Sequence, residues 1–147
     1  MTTSGKFHEV MRPPLWLIAF IAFMFGSLVL AIWVALGDRA ASFSGAVLLL
    51  LTLFIYFASS TTISFDGVEL RVGRAHIEKI YIGKASLVPK RDFLVARTRG
   101  ADPAAFFALV FWVSEGVKIE VNDARDSTPY WLISTKRGNE LIAALES

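Results

Sequence analysis

The hydrophobic pattern divides the chain into two long apolar runs followed by a region of short alternating segments. Leu15 to Leu36 is 22 residues without a charge. As a helix it would rise about 33 Å, enough to cross a hydrocarbon core of about 30 Å. After Gly37, Asp38 and Arg39, a second uncharged run extends from Ala40 to Phe65, most apolar from Ala46 to Ala58. It predicts a second transmembrane helix over about residues 42–60, joined to the first by a tight turn at Gly37 to Ala41. Residues 1–14 read as a tail. Beyond residue 60 the pattern changes period. Thr61 to Phe65 and Val68 to Val72 alternate around Asp66-Gly67, a strong short hairpin signal. Further strands are predicted over Ala75 to Ile82, at Leu94 to Ala96, as a central strand through the apolar run Ala104 to Val113, over Val117 to Val121, and over Tyr130 to Thr135 behind Pro129. Asn139 to Glu146, with Leu141 and Leu145 four apart, predicts a closing helix.

These elements predict an α+β membrane protein. An N-terminal helical hairpin precedes a small, mostly antiparallel β domain over residues 61–147, capped by a C-terminal helix. Six or seven short strands with one closing helix is the pattern of a pleckstrin-homology-like barrel, with a split sheet carrying a helix on one face as the alternative. A cleaved signal peptide is the competing reading of the first run. Its 22 residues exceed the usual apolar core of about 7–15, and a second span follows at once.

Composition agrees with this division. Hydrophobic residues make up 54% and charged residues 19% of the chain, against about 45–50% and about 25% in a soluble domain. Zero Cys excludes a disulfide framework, a thiol nucleophile and Cys-ligated metals. Two His residues, His8 and His76, have no companions at metal-ligand spacing, and parity on a strand predicts that His76 faces water. No phosphate loop, nucleophile elbow or zinc-protease motif is present, and no acid–base pair of carboxylates can be nominated. Catalytic, cofactor and metal sites are therefore expected to be absent, and nucleic acid is not an expected partner.

Charge adds orientation. Lys6 and Arg12 precede the first run, and only Arg39, beside Asp38, lies in the turn. From Arg71 to Arg99 there are eight cations and two anions, a net of +6; from Gly100 onward four cations and seven anions give −3. The positive-inside bias places both termini in the cytoplasm and the turn outside a cytoplasmic membrane crossed twice. Arg71, Arg74, Lys79, Lys84, Lys90 and Arg91 become candidate contacts to an anionic membrane surface. Lys136 and Arg137, just before the last helix, are candidates to hold an anion such as a lipid phosphate at its N-terminus. Neither span carries an ionisable residue, which argues against a transporter or pump. Small residues at Ala22 and Gly26 offer a face for a partner helix or another copy, with chance spacing in an Ala-rich helix as the alternative; if such faces are real, Ala31 and Ala35 pack on Ala46 and Ser42 inside the hairpin.

Several segments carry a resemblance: Gly100-Ala-Asp-Pro103, Trp112, Asp123 to Arg137 (sharpest over Pro129 to Arg137), and Glu140-Leu141. In these the chain resembles small actinobacterial membrane proteins known only as a domain of unknown function, with two helices and a compact C-terminal domain. Members often carry Pro after the last Arg, where this chain has Gly138. The resemblance implies location and architecture and supplies no reaction, ligand or site residue. Three readings follow. The first is a non-enzymatic module at the membrane, binding a protein or lipid head groups. The second is an accessory subunit of a larger respiratory, transport or envelope complex. The third, a lipid-modifying enzyme, lacks a convergent polar pocket. In Pro129-Tyr-Trp-Leu132 the aromatic strand is expected to be core, with Trp131 as a surface anchor the alternative.

Overall fold

The computed structural model describes residues 5–147. Two compact units are present: one is residues 12–60, the other the segment up to Met11 together with 61–147.

The first unit is a helical hairpin of α1 (Leu15–Leu36) and α2 (Asp38–Ala58). The second helix begins four residues before the expected position 42, and Gly37 alone separates the two. Asp38 explains the early start. A carboxylate suits the positive end of a helix, and its Oδ1 accepts the Trp33 indole N–H at 2.6 Å. The seam uses half-buried Ile21, Phe25, Val29 and Ile32 of α1 against Ala41, Gly45, Leu48 and Thr52 of α2, spaced three and four apart. A Cβ placed on Gly45 would meet Val29 at 3.8 Å. Ala31, Ala35, Ser42 and Ala46 are exposed, so the expected small-residue packing is not the one formed. Ile21, Phe25, Val29 and Ile32 set the α1 side of the seam, and Gly45 of α2 lies opposite Val29. Hydroxyls on both helices turn back on their own backbone, as Ser27 to the Phe23 carbonyl and Thr52 to the Leu48 carbonyl. No residue of either helix is buried, and both are long and apolar enough to cross a membrane.

The second unit holds two four-stranded sheets. In the first, β1 (Phe7–Met11), β2 (Thr61–Phe65), β3 (Glu69–Val72) and β4 (Ala75–Glu78) form an antiparallel meander in chain order. Of the segment expected as an N-terminal tail, residues 1–4 lie outside the described residues, and Phe7–Met11 is a strand. Phe7 pairs with Phe65 and Met11 with Thr61, burying Phe7 and Met11. The β2–β3 turn needs a positive φ only at Gly67 (98°). It is therefore not the type I′ turn that an Asp-Gly pair suggests, since that form needs two. Asp66 instead accepts the Val68 and Glu69 N–H groups at 2.9 Å each.

The second sheet has the order β5-β7-β8-β6, built from β5 (Ile82–Val88), β6 (Phe106–Ala108), β7 (Gly116–Val121) and β8 (Tyr130–Ser134). The predicted strand Ala75 to Ile82 is broken by a 3-10 turn at Lys79–Tyr81, where the chain passes from one sheet to the other. Leu94 to Ala96 is not a strand but the end of helix α3 (Lys90–Ala96), which Pro89 opens and Asp92 favours in its first turn. The Ala104 to Val113 run is not a central strand. Only Phe106–Ala108 pairs, parallel to β8 at the sheet edge. The chain then leaves the ladder because the Val110 N–H goes to Ser134 Oγ at 3.1 Å, and Val110 and Val113 reach the core from irregular backbone.

The main core joins Ile63, Phe65, Leu70 and Val72 of the first sheet to Val117, Ile119, Trp131 and Ile133 of the second. Helix α4 (Gly138–Glu146) closes it with Leu141 and Leu145, as the sequence predicts to within one residue. On the opposite face of the second sheet, Val88, Phe93 and Leu132 make a smaller cluster. Strand β8 is therefore covered on both sides, and Trp131, 4.6 Å from the Phe106 ring centroid, is core.

Candidate functional site

The fold disperses the candidate cations. Arg71 projects from β3 and pairs with Glu69 at 2.7 Å. Arg74 lies in the β3–β4 turn, where the Gly73 N–H donates to the Thr62 carbonyl at 2.9 Å. That is the end of the sheet at which Met11 and Thr61 pair, so Arg74 neighbours the points where the chain leaves for residue 12 and returns from residue 60. Lys79 sits at the other end of the same sheet, its N–H on the Val68 carbonyl at 2.7 Å and its Nζ on the Ser147 carbonyl at 2.6 Å. Lys84 is exposed on β5, and Lys90 and Arg91 are exposed at the start of α3.

Lys136 and Arg137 do precede helix α4, but the anion there is the chain's own. Glu9, on the inward face of β1 and 9% exposed, accepts the Thr135 hydroxyl on Oε2 and the Lys136 backbone N–H on Oε1 at 3.3 Å. Thr135 Oγ1 in turn accepts the Arg137 N–H at 3.1 Å. The Arg137 guanidinium is engaged by Glu140, with Nε to Oε1 at 3.0 Å, and donates from Nη1 to the His8 carbonyl at 3.1 Å. Arg137 holds the Glu140 carboxyl below the usual carboxylate range. The cleft beside these residues, about 180 Å³, is lined by Glu115 and Glu140 as well as by both cations, so its charge is mixed.

Glu9 is the structural residue that sequence reasoning missed. Its signal was the shared parity of Phe7, Glu9 and Met11, which marks a strand face with a carboxylate inside it. Glu9→Ala is expected to leave the Thr135 hydroxyl, 1% exposed, without an acceptor. An orphaned buried group of this kind costs about 1–3 kcal/mol. Glu9→Gln, which keeps a carbonyl oxygen, should cost less. Thermal unfolding of the detergent-solubilised chain measures both, and equal melting of the Ala variant and the parent would contradict the assignment.

Elsewhere, a cleft of about 190 Å³ gathers His76, Glu78, Tyr81, Asp123, Asp126 and Trp131. Asp123 is tied to Arg125 at 3.1 Å, and Arg125 reaches the Tyr81 hydroxyl at 2.5 Å. The Arg125 side-chain and backbone hydrogen bonds lower the Asp123 pKa. His8 and His76 are exposed, the latter 3.8 Å from Glu69. Among the described residues no three His, Cys, Asp or Glu side chains come together in a metal-binding arrangement. On the hairpin, Ala22 and Gly26 are exposed beside the seam, and nothing lies within 4 Å of a Cβ placed on Gly26. A shallow groove of about 450 Å³ runs from Gly26 past Leu30 and Trp33 to Ser42.

Residues 6–145 match the family described as "Protein of unknown function (DUF3093)". No curated protein matches the chain, and no solved structure does. The chain belongs to the DUF3093 family.

Proposed function

We propose that this DUF3093 protein is a non-enzymatic integral protein of the cytoplasmic membrane. It crosses the bilayer twice, keeps both termini in the cytoplasm, and presents a pleckstrin-homology-like module to a protein partner or to lipid head groups. One observation carries the reading: two helices with no buried residue are inserted between β1 and β2, which pair in register. A soluble core helix would be covered, and these are not. A cleaved signal peptide would remove β1 and with it Phe7 and Met11 from the core. Because one folded unit takes strands from before and after the hairpin, its two flanks belong on the same side of the bilayer. The surplus of cations in those flanks favours the cytoplasmic side. Two four-stranded sheets with α4 packed on β1, β5 and β7 support the pleckstrin-homology-like description, although the parallel β6–β8 pair departs from an all-antiparallel barrel.

The exposed Ala22 and Gly26 face and the adjoining groove favour a second reading, an accessory subunit that packs this hairpin against a larger membrane protein. Purification in mild detergent distinguishes it: co-purifying integral proteins favour the subunit, a lone monomer or dimer the module.

The absence of native cysteine allows a direct topology test. Arg39→Cys and Ser147→Cys are probed with a membrane-impermeant maleimide. Ser147→Cys should react in inverted vesicles and Arg39→Cys in right-side-out ones. Labelling of both from one side would overturn the double crossing.

A further inference from the structure

We propose that helix α3 is an interfacial helix that lies on an anionic lipid surface. This rests on the reading of the hairpin as a membrane anchor and names what the attached domain touches. Only one α3 side chain, Phe93, is buried, where it meets Val88 and Leu132 on the outer face of the second sheet. Leu94 and Val95 point away from that cluster and are 55% and 54% exposed. At about 100° per residue, Lys90, Leu94, Arg91 and Val95 share one arc of about 140° that excludes both Phe93 and Asp92. The outward face therefore alternates two cations with two aliphatic groups.

That combination suits one environment. Aliphatic side chains gain by leaving water, and long cationic side chains reach back to phosphates at the head-group level. Lys90 and Arg91 also occupy the first helical turn, the end at which the macrodipole disfavours cations. An anionic surface removes that penalty, whereas an acidic protein pocket would have to match both the charges and the two aliphatic groups that alternate with them. Arg97 and Arg99 follow in a loop folded back on the helix by Gly100 N–H to the Val95 carbonyl at 2.8 Å, so the charge continues past its C-terminus. Only Arg12, Pro13 and Pro14 separate β1 from α1, and only Ser59 and Ser60 separate α2 from β2, so the domain cannot move far from a bilayer that holds the hairpin.

Single-cysteine variants of the full chain test this. Leu94→Cys, Val95→Cys, Glu120→Cys as an aqueous reference and Ala22→Cys as a hairpin reference are spin-labelled and placed in nanodiscs of phosphatidylcholine with or without phosphatidylglycerol. Collision with oxygen and with a water-soluble nickel chelate reports depth. Labels at 94 and 95 should favour oxygen over nickel, more so with phosphatidylglycerol, and the added pair Lys90→Glu and Arg91→Glu should return them to the Glu120 value. Labels at 94 and 95 that match Glu120 while Ala22 reports lipid would overturn the α3 assignment and leave the anchor standing. A water-like signal at Ala22 would overturn the anchor and α3 together. Shielding of 94 and 95 from both reagents would overturn the lipid assignment in favour of a protein contact.

Discussion

Replacing residues 12–60 by a short turn containing Asn-Gly is expected to yield a soluble, folded β domain, whereas residues 61–147 alone should fail to fold. The first expectation rests on register: Met11 and Thr61 are partners on adjacent antiparallel strands, so a tight turn spans the gap that the hairpin now fills. The second rests on what β1 contributes. Phe7 and Met11 are both buried in the main core, and Glu9 supplies the acceptor for Thr135. Losing a buried Phe and Met costs about 3–5 and about 2–5 kcal/mol, comparable with the whole stability of a small domain, about 5–15 kcal/mol. Removing β1 would also bare the β2 edge, a template for aggregation. Dispersed amide spectra and a cooperative melt are expected for the first chain, with broadened spectra and aggregation for the second. A cooperative melt from residues 61–147 alone would show that β1 is dispensable.

This dependence explains why Phe7–Met11 does not read as a strand from the sequence alone. The hairpin was legible because an uncharged stretch of 22 residues is a local signal that needs no partner. Strands β2, β3, β7 and β8 and helix α4 were legible for the same reason, each carrying its own period of 2 or 3.6. Strand β1 is five residues, Phe-His-Glu-Val-Met, with two polar positions, and it becomes a strand because residues fifty or more positions away present an edge. The parity of Phe7, Glu9 and Met11 is a local hint, but five residues with two polar positions do not mark a strand without that edge.

The other departures from the expected elements share this cause. Ala104 to Val113 is apolar enough for a central strand, yet Ser134 captures the Val110 N–H and ends the ladder after three residues. Leu94 to Ala96 carries strand-like residues, but Pro89 and the burial of Phe93 make it helical. The candidate site was legible only as a list of charges. Sequence order could not show that Arg71 and Arg137 are held by Glu69 and Glu140, that Lys79 meets the C-terminal residue, or that Lys90 and Arg91 flank exposed aliphatic groups. Those distinctions depend on which elements the two sheets bring together.

Gly116→Ala is expected to be the most destabilising single methyl addition in the β domain, at about 3 kcal/mol. Gly116 begins β7 between Val88 and Ser134, where a Cβ would overlap the Ile133 carbonyl oxygen and come within 2.7 Å of the Phe93 ring. Neither neighbour can yield cheaply. Ile133 lies near the end of β8, in a ladder where it pairs with Val117 of β7 on one side and Ala108 of β6 on the other. Phe93 is the only buried side chain of α3, so displacing it lifts the helix. For a domain of this size each kcal/mol lowers the midpoint by about 4–8 °C, so the melt should move down by about 12–24 °C. Gly26→Ala, which adds the same methyl into open space on the hairpin, should leave the β-domain melt unchanged. Combining Gly116→Ala with Phe93→Leu separates the two clashes. A smaller side chain relieves the ring contact but not the carbonyl contact, so only partial recovery is expected. Full recovery would place the whole cost on Phe93, and no recovery would place it on the β8 backbone.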